Sequence, residues 1–492
     1  MRLLPIASKA TILVSFLLLF NQCSRNPVTG KRELSFMSES QEKALGASSD
    51  PQIQAEFGVY PDEKLQTFLN EKGQAMAKIS HRPTLPFQFK VMDSPVVNAF
   101  AVPGGYVYFT RGILAHFNNE AQLNGVLGHE IGHVTAKHGA RSQTSQILSQ
   151  VVLIGAMIAS PKLAQYGQQL SQGMQLLMLK NSRDHESESD VLGVQYSQKV
   201  GYDAKEMGDF FLTLQRLSGG EEGGQGVPTF MSTHPDPGER HINCRNMATE
   251  YQQKNPGTYN VNRDSYLRLI DGIIYGDDPK QGYVEANVFY HPELKFQFPI
   301  PTQWKHQNSP TQFAMGSPDQ KAMMIMALGQ GSSPEAAADT FVQNYKLQRI
   351  SGGRTTINGL PAVDQVCQQV PQQQQGQQQQ GPQQVVMVRN VMIQYNNLIY
   401  SFIGAADSKD YPVYEQIFGN TMYAFRPLTD PSKINVLPER VRVKQVLYDA
   451  TVSEVLKGFG TPEKRLNELS VLNGMKLTDR ISRGTLIKTV SK

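Results

Sequence analysis

Cysteine is scarce in this chain, with three in 492 residues, at positions 23, 244 and 367. That is too few for a disulfide-stapled scaffold. Cys244 and Cys367 fall in different proposed domains, so a disulfide between them is not indicated, and neither has the spacing of a metal motif. An excess of one charge is missing too: the formal net charge is +4, and it falls to about +2 once Arg2 and Lys9 are set aside with a leader. Nothing there suggests a nucleic-acid partner. Long apolar runs are also absent. Ala10 to Phe20 is of signal-peptide length, short of the roughly 20 residues that a membrane span needs. Val151 to Ala159 is shorter still and reads as a helix over a site or as part of a core.

What the sequence does contain is chemistry at helical spacing. In His129-Glu130-Ile131-Gly132-His133 a helix brings two imidazoles onto one face, with Cβ atoms about 5–6 Å apart, close enough to grip one tetrahedral ion. Glu130 then lies alongside the metal, where a general base can take a proton from a water acidified by the ion. The flanks agree with a helix. Asn118 or Asn119 can cap its start, Glu120 suits the positive first turn, and Leu123, Val126, Leu127, Ile131 and Val134 form an apolar stripe. Lys137, His138 and Gly139 read as its end.

A second acidic motif follows in Ser182-Arg183-Asp184-His185-Glu186-Ser187-Glu188-Ser189-Asp190. A catalytic zinc takes three protein ligands and one open position, and Glu186 would complete a two-His, one-Glu set. Asp190, one turn on, could accept a hydrogen bond from the ring of His129 and fix its tautomer. A solvated acidic face is the other reading. The third element is Ser232-Thr233-His234-Pro235-Asp236-Pro237-Gly238-Glu239-Arg240, a proline-stiffened turn leading into a helix near Gly238. His234 and Arg240 are candidate donors to an oxyanion; a structural histidine and a surface arginine are the plain alternatives.

The three motifs in this order resemble the zinc metallopeptidase family of the HtpX membrane proteases, the CAAX prenyl proteases, the mitochondrial Oma-type proteases and the periplasmic BepA-like enzymes. The resemblance takes in Val96-Val97-Asn98-Ala99-Phe100-Ala101-Val102-Pro103-Gly104-Gly105-Tyr106-Val107-Tyr108 and Thr110-Arg111-Gly112-Ile113-Leu114. It implies zinc, one ion per chain, held by His129, His133 and Glu186. Glu130 is then the general base, Asp190 the orienting carboxylate, and His234 and Arg240 stand at transition-state positions. It also implies that Asn98, Ala99 and Phe100 contact an extended substrate on an edge strand; an ordinary core strand is the alternative. One departure is Ser189, where the family usually has Ala, still a small residue.

The leader followed by Cys23 and a polar stretch resembles a bacterial lipoprotein, with Cys23 lipidated; Gln22 is unusual before such a cysteine, and ordinary cleavage nearby is the alternative. Asn26-Pro27-Val28-Thr29-Gly30 resembles the start of mature lipoprotein members of the family, and Ser24 favours outer-membrane sorting. The absence of spans separates the chain from the integral-membrane branches and points to the periplasmic one.

The fold class expected is α+β. Residues 1–22 form a signal peptide, 23–37 a lipidated N-terminus and linker, and 38–277 a mainly helical, zincin-type peptidase domain with a small sheet. Residues 278–428 form an α+β accessory domain, with a strand over Tyr290 to Ile300, a helix capped at Ser333, two strands joined at Asn396-Asn397, and a disordered Gln-rich loop at 368–384. Residues 429–492 form a small βααβ module, with a capping box at Thr451 to Glu454, that resembles LysM. The expectation is an exported endopeptidase acting on misfolded or unassembled envelope proteins, with contact to peptidoglycan or to an outer-membrane assembly complex. The alternative is a chaperone or assembly factor with little proteolysis. A segment between Gln143 and Gln175 could plug the cleft.

Overall fold

The structure is a computed structural model that describes residues 23–34, 37–142, 182–218, 230, 234, 237–369 and 385–492. The signal peptide, the 143–175 segment and nearly all of the Gln-rich loop therefore lie outside the described residues; Gln368 and Gln369 end a strand instead. The chain divides into two compact units, one of residues up to 276 together with 439–492, the other of residues 277–438. Both mix helix and sheet. Among the described residues no helix is long and apolar enough to cross a membrane.

The first unit begins with a hairpin, β1 (Cys23–Arg25) and β2 (Arg32–Leu34). Its turn is made by the Asn26-Pro27-Val28-Thr29-Gly30 motif, in which Asn26 Oδ1 accepts from the amides of Val28 and Thr29 at 2.8 and 3.1 Å. Helices α1 (Glu39–Phe57) and α2 (Glu63–Lys78) follow, capped by Ser38 and Asp62. A three-stranded sheet then forms from β3 (Gln88–Met92), β4 (Ala99–Val102) and β5 (Tyr106–Thr110), in the order β3-β5-β4, so that β4 is an edge. Its tight turn uses Gly104 and Gly105, both at positive φ (92° and 98°), where a Cβ would be strained.

After the short α3 (Arg111–His116) comes α4 (Glu120–Thr135), with Asn119 as its cap, accepting from Gln122 N at 2.8 Å. The stripe from Leu123 to Val134 is buried, and so is every other residue of α4: this is the central helix of the unit rather than a half-solvated one. It ends two residues earlier than the Lys137-His138-Gly139 signal suggests, and the left-handed residue is Lys137, at φ 57°. Against α4 pack α5 (Arg183–Lys199), α6 (Lys205–Leu217) and α8 (Arg263–Ile270), while α7 (Pro237–Lys254) packs on α5 and α6.

The α4–α5 crossing is made of glycine. A methyl at Gly128 would lie 2.9 Å from Gly193 O, one at Gly193 3.0 Å from His129 N, and one at Gly132 3.3 Å from Ser189 Cα. The helices thus meet backbone to backbone at the motif itself. Small Ser189 is part of this fit.

Residues 439–492 share this unit. Strands Arg440–Gln445 and Leu486–Ser491 pair antiparallel around helices Val452–Gly458 and Leu466–Leu472, with Thr451 and Glu454 forming the capping box. Val441 and Leu486 lie in the main core cluster of the first unit. Buried Lys488 donates from Nζ to Ala115 O and Phe117 O at 2.8 and 2.9 Å, tying the segment to the loop that starts α4.

The second unit holds a seven-stranded antiparallel sheet in the order Leu347–Ile357, Leu360–Gln369, Val386–Tyr395, Leu398–Asp407, Ala322–Leu328, Gln312–Gly316, Lys305–Asn308. The turn at Asn396-Asn397 is present, with both residues at positive φ, and Ser333 caps the helix Pro334–Asn344. The strand expected over Tyr290 to Ile300 is instead a hairpin of Val288–His291 and Phe296–Pro299. Leu294 belongs to its turn, because Lys295 at φ 57° reverses the chain where alternation alone reads as continuous.

Two outcomes follow. Gly128→Ala gains about 1 kcal/mol of helix propensity but presses a methyl into a helix backbone that cannot yield, for a net loss of about 1–3 kcal/mol in urea denaturation. Removal of 440–492 uncovers Val441's and Leu486's neighbours and strands the carbonyls that Lys488 satisfies, so calorimetry of the truncated chain shows no cooperative transition for the first unit.

Candidate metal centre

Three elements deliver four donor side chains to one buried point. Helix α4 carries His129 and His133, α5 carries Glu186, and the turn before α7 carries His234; their ligand atoms all lie within 4.8 Å of one another. His129 Nε2 is 2.9 Å from His133 Nε2 and 3.2 Å from His234 Nδ1. Glu186 places Oε2 3.5 Å from His129 Nε2, Oε1 3.5 Å from His133 Nε2, and both oxygens 3.0–3.1 Å from His234 Nδ1. The solvated reading of the acidic α5 face does not hold for Glu186 and Asp190, which are both buried.

The donor set fits a cation. His129 Nδ1 lies 2.9 Å from Asp190 Oδ1, and the carboxylate beside it favours the ring proton on Nδ1, which leaves the Nε2 lone pair facing inward. Lone pairs of the two imidazoles then point at one another beside a carboxylate, an arrangement that repels itself unless a proton or a metal ion sits between. Burial works against charge on His129, yet Asp190 and then Glu186 outweigh it and raise its pKa to about 9. For Glu186 burial is again opposed, by His234 and His129, and the net effect holds the carboxyl well below its usual range. The site attracts positive charge. Three donors leave a position open for water, whereas the fourth, His234, completes the count of a closed site.

Glu130 stands beside this cluster and outside it. It is buried, neither of its oxygens accepts a hydrogen bond among the described residues, and Oε1 is 3.6 Å from His234 Nε2. Burial pushes its pKa above the ordinary carboxyl value in spite of the nearby His234 and His129. A carboxyl so placed can take and return a proton.

Asp190 holds two partners at once. Arg240 donates to it from Nε and Nη2, both at 2.7 Å, and its Nη1 is 3.1 Å from Glu186 Oε2. The guanidinium is buried, stacked 4.2 Å over the Phe211 ring, and committed to these carboxylates rather than turned to a surface. Burial of Asp190 is countered by Arg240, which keeps its carboxyl below the usual range.

The rim strand is present as β4. Ala99 and Phe100 pair with Phe109 and Tyr108 of β5, leaving the other edge of β4 unpaired within the sheet. Phe100 points its ring into a side cluster, 5.0 Å from Tyr108 and 5.5 Å from Phe57. Asn98 N donates to Thr110 Oγ1 at 3.2 Å, and Asn98 O accepts from Thr110 N at 3.0 Å. Just before β4, Val97 O accepts from Phe230 N at 3.3 Å, and the Phe230 ring stacks 4.4 Å from His234. Cys23 pairs with Leu34 in the N-terminal hairpin, away from these motifs in sequence.

Sequence reasoning passes over His138 and Glu188. His138 Nδ1 lies 2.8 Å from His133 Nδ1, and Glu188 lies 3.0 Å from His138 Nε2. The one available signal, a third histidine five residues past His133, reads as a helix end, because the left-handed turn at Lys137 that folds it back is not written in residue type.

Curated relatives share this region. The chain is 30% identical over 222 residues to the beta-barrel assembly-enhancing protease of Yersinia pestis (44% of this chain, 45% of the relative) and 28% identical over 249 residues to that of Escherichia coli K12 (49% and 50%). It is 29% identical over 188 residues to the mitochondrial metalloendopeptidase OMA1 of Arabidopsis thaliana (38% and 37%). The chain thus spans about half the length, or less, of the curated relatives it matches. Residues 63–248, which carry all four donors, Glu130, Asp190 and Arg240, match the model of peptidase family M48.

Proposed function

We propose that the chain is an exported zinc-dependent endopeptidase that cleaves misfolded or unassembled proteins of a Gram-negative envelope. One observation carries the reading: His129, His133 and Glu186 converge in a buried site beside Glu130, a buried carboxyl whose oxygens accept no hydrogen bond among the described residues. The envelope setting is supported by the names of the beta-barrel assembly-enhancing relatives and by the leader-plus-Cys23 pattern. A lipid anchor at Cys23, and contacts with peptidoglycan or an outer-membrane assembly complex, belong to the same proposal.

A zinc ion held by His129, His133 and Glu186 supplies Lewis acidity, which makes a water nucleophilic near neutral pH and polarises the scissile carbonyl. Glu130 takes the proton of that water and returns it to the leaving amine; its raised pKa suits both transfers. Asp190 keeps the His129 proton on Nδ1. Arg240 works through Asp190 and Glu186, to which it is bound. His234 is within reach of both the donors and Glu130, so its ring can complete the cluster or turn an N–H toward the oxyanion. An extended substrate adds along the free edge of β4, next to Asn98, Ala99 and Phe100.

Casein cleavage by the mature chain tests the reading. Glu130→Gln is expected to lower the rate by about 10²–10⁴-fold with zinc still bound, and a chelator to remove it; cleavage that survives both sinks the peptidase. Restored envelope assembly by Glu130→Gln would instead favour the chaperone alternative. Asp190→Asn leaves Arg240 buried without its counter-charge and His129 without its acceptor anion, so a loss of about 3–5 kcal/mol in denaturation and of about 10–100-fold in zinc affinity is expected.

A further inference from the structure

Behind the donor cluster lies a second set of side chains that takes no part in the chemistry above. His133 Nδ1 is 2.8 Å from His138 Nδ1, and His138 Nε2 is 3.0 Å from Glu188 Oε2. Arg141 Nη1 reaches the same Glu188 oxygen at 2.9 Å, and its Nε lies 3.3 Å from Glu33 of the N-terminal hairpin. Ser189 Oγ is 3.2 Å from His138 Nδ1. The His138 ring is buried and stacked on His185, with centroids 4.2 Å apart and planes 10° from parallel.

The placement is specific. Helix α4 stops at Thr135, and the left-handed Lys137 swings the chain so that His138 returns against the back of His133. Lys137 is held there by an ion pair to buried Glu42, 3.1 Å from its Nζ.

Counting protons along the contacts fixes every tautomer. Glu188 is an acceptor: its Oε2 takes the hydrogen bond of Arg141 Nη1, which can only donate, and faces His138 Nε2 at 3.0 Å. The proton of a neutral His138 therefore sits on Nε2, and its Nδ1 is a bare lone pair. Only His133 Nδ1–H, with the Ser189 hydroxyl at longer range, can fill it. His133 is then left with a bare Nε2, the atom that faces His129 and Glu186. In the reverse arrangement, with the His138 proton on Nδ1, His133 would carry its proton on Nε2 and could not hold a cation, while Glu188 would face a second lone pair.

We propose that His138 and Glu188 form a relay that holds His133 in its metal-binding tautomer and orientation, so that His138 is a positioning residue for the metallopeptidase reading on which this inference rests. His129 is set directly by the Asp190 carboxylate. His133 is set by a carboxylate one imidazole away. Ser189, the position that departs from the family's usual Ala, adds a hydroxyl to the same joint.

The test is zinc affinity of the full mature chain by competition with a chromophoric chelator, alongside thermal melting of the metal-free protein. Glu188→Ala removes the far acceptor at a part-exposed position and is expected to weaken zinc binding about 10–100-fold with little change in metal-free melting. His138→Phe keeps a ring to stack on His185 and should weaken binding by a similar factor. The double variant should bind no worse than His138→Phe alone, since both changes break one chain. Glu188→Gln retains an acceptor oxygen and should recover most of the affinity, a rescue that a merely structural role does not predict. Single variants that bind zinc within about twofold of the parent, or losses that multiply in the double variant, overturn the relay. A parent chain that binds no zinc overturns the metal reading beneath it, which separates the two failures. Should His138→Phe not fold, the Glu188 pair decides alone.

Discussion

Everything at the candidate centre depends on how closely α4 and α5 approach. Carboxylate and imidazole side chains are short, so Glu186 can meet His129 and His133 only if the two helix backbones nearly touch. Gly128 and Gly132 on one helix and Gly193 on the other remove the side chains that would hold them apart, and Ser189 fills the remaining space without pushing. The same contact faces Asp190 toward His129 Nδ1. Helix packing here is the means by which a donor set is assembled, and loss of one methyl's clearance is felt at the chemistry because backbone has no rotamer to change.

The second constraint is electrostatic. Placing Glu130, Glu186 and Asp190 together in a buried site is unfavourable unless each charge has a partner. Arg240 partners two of them through Asp190 and Glu186, and the imidazoles lower Glu186 further. Among the described residues Glu130 is left as the carboxyl without a hydrogen-bonded partner, and burial raises its pKa. Two carboxylates pushed down and one pushed up, within one helix crossing, is the division of labour that acid–base chemistry beside a cation needs.

The C-terminal segment shows how a region that reads as a separate module in sequence is used in the fold. Its βααβ order is present, but its strands contribute Val441 and Leu486 to the peptidase core, and Lys488 satisfies the carbonyls of Ala115 and Phe117 just ahead of α4. A lysine whose Nζ donates to two main-chain oxygens is a tie between segments far apart in the chain.

How much of this was legible beforehand differs by element. The helix period alone puts His129 and His133 on one face, the Asn119, Ser333 and Thr451 caps follow from side-chain oxygens that can reach free amides, and the Asn396-Asn397 turn follows from residues that tolerate positive φ. These are local rules, acting within a few residues, so the sequence by itself determined them. The hairpin at Lys295 and the end of α4 at Thr135 escaped, because a lysine at positive φ is imposed by surroundings rather than by its own preference. What only the tertiary structure decided is which further groups join the motif residues: Arg240 on the Asp190 carboxylate already expected beside His129, and His138 between His133 and Glu188. A hydrogen bond depends on tenths of an ångström between residues that the chain brings together from afar, and no residue pattern carries that distance.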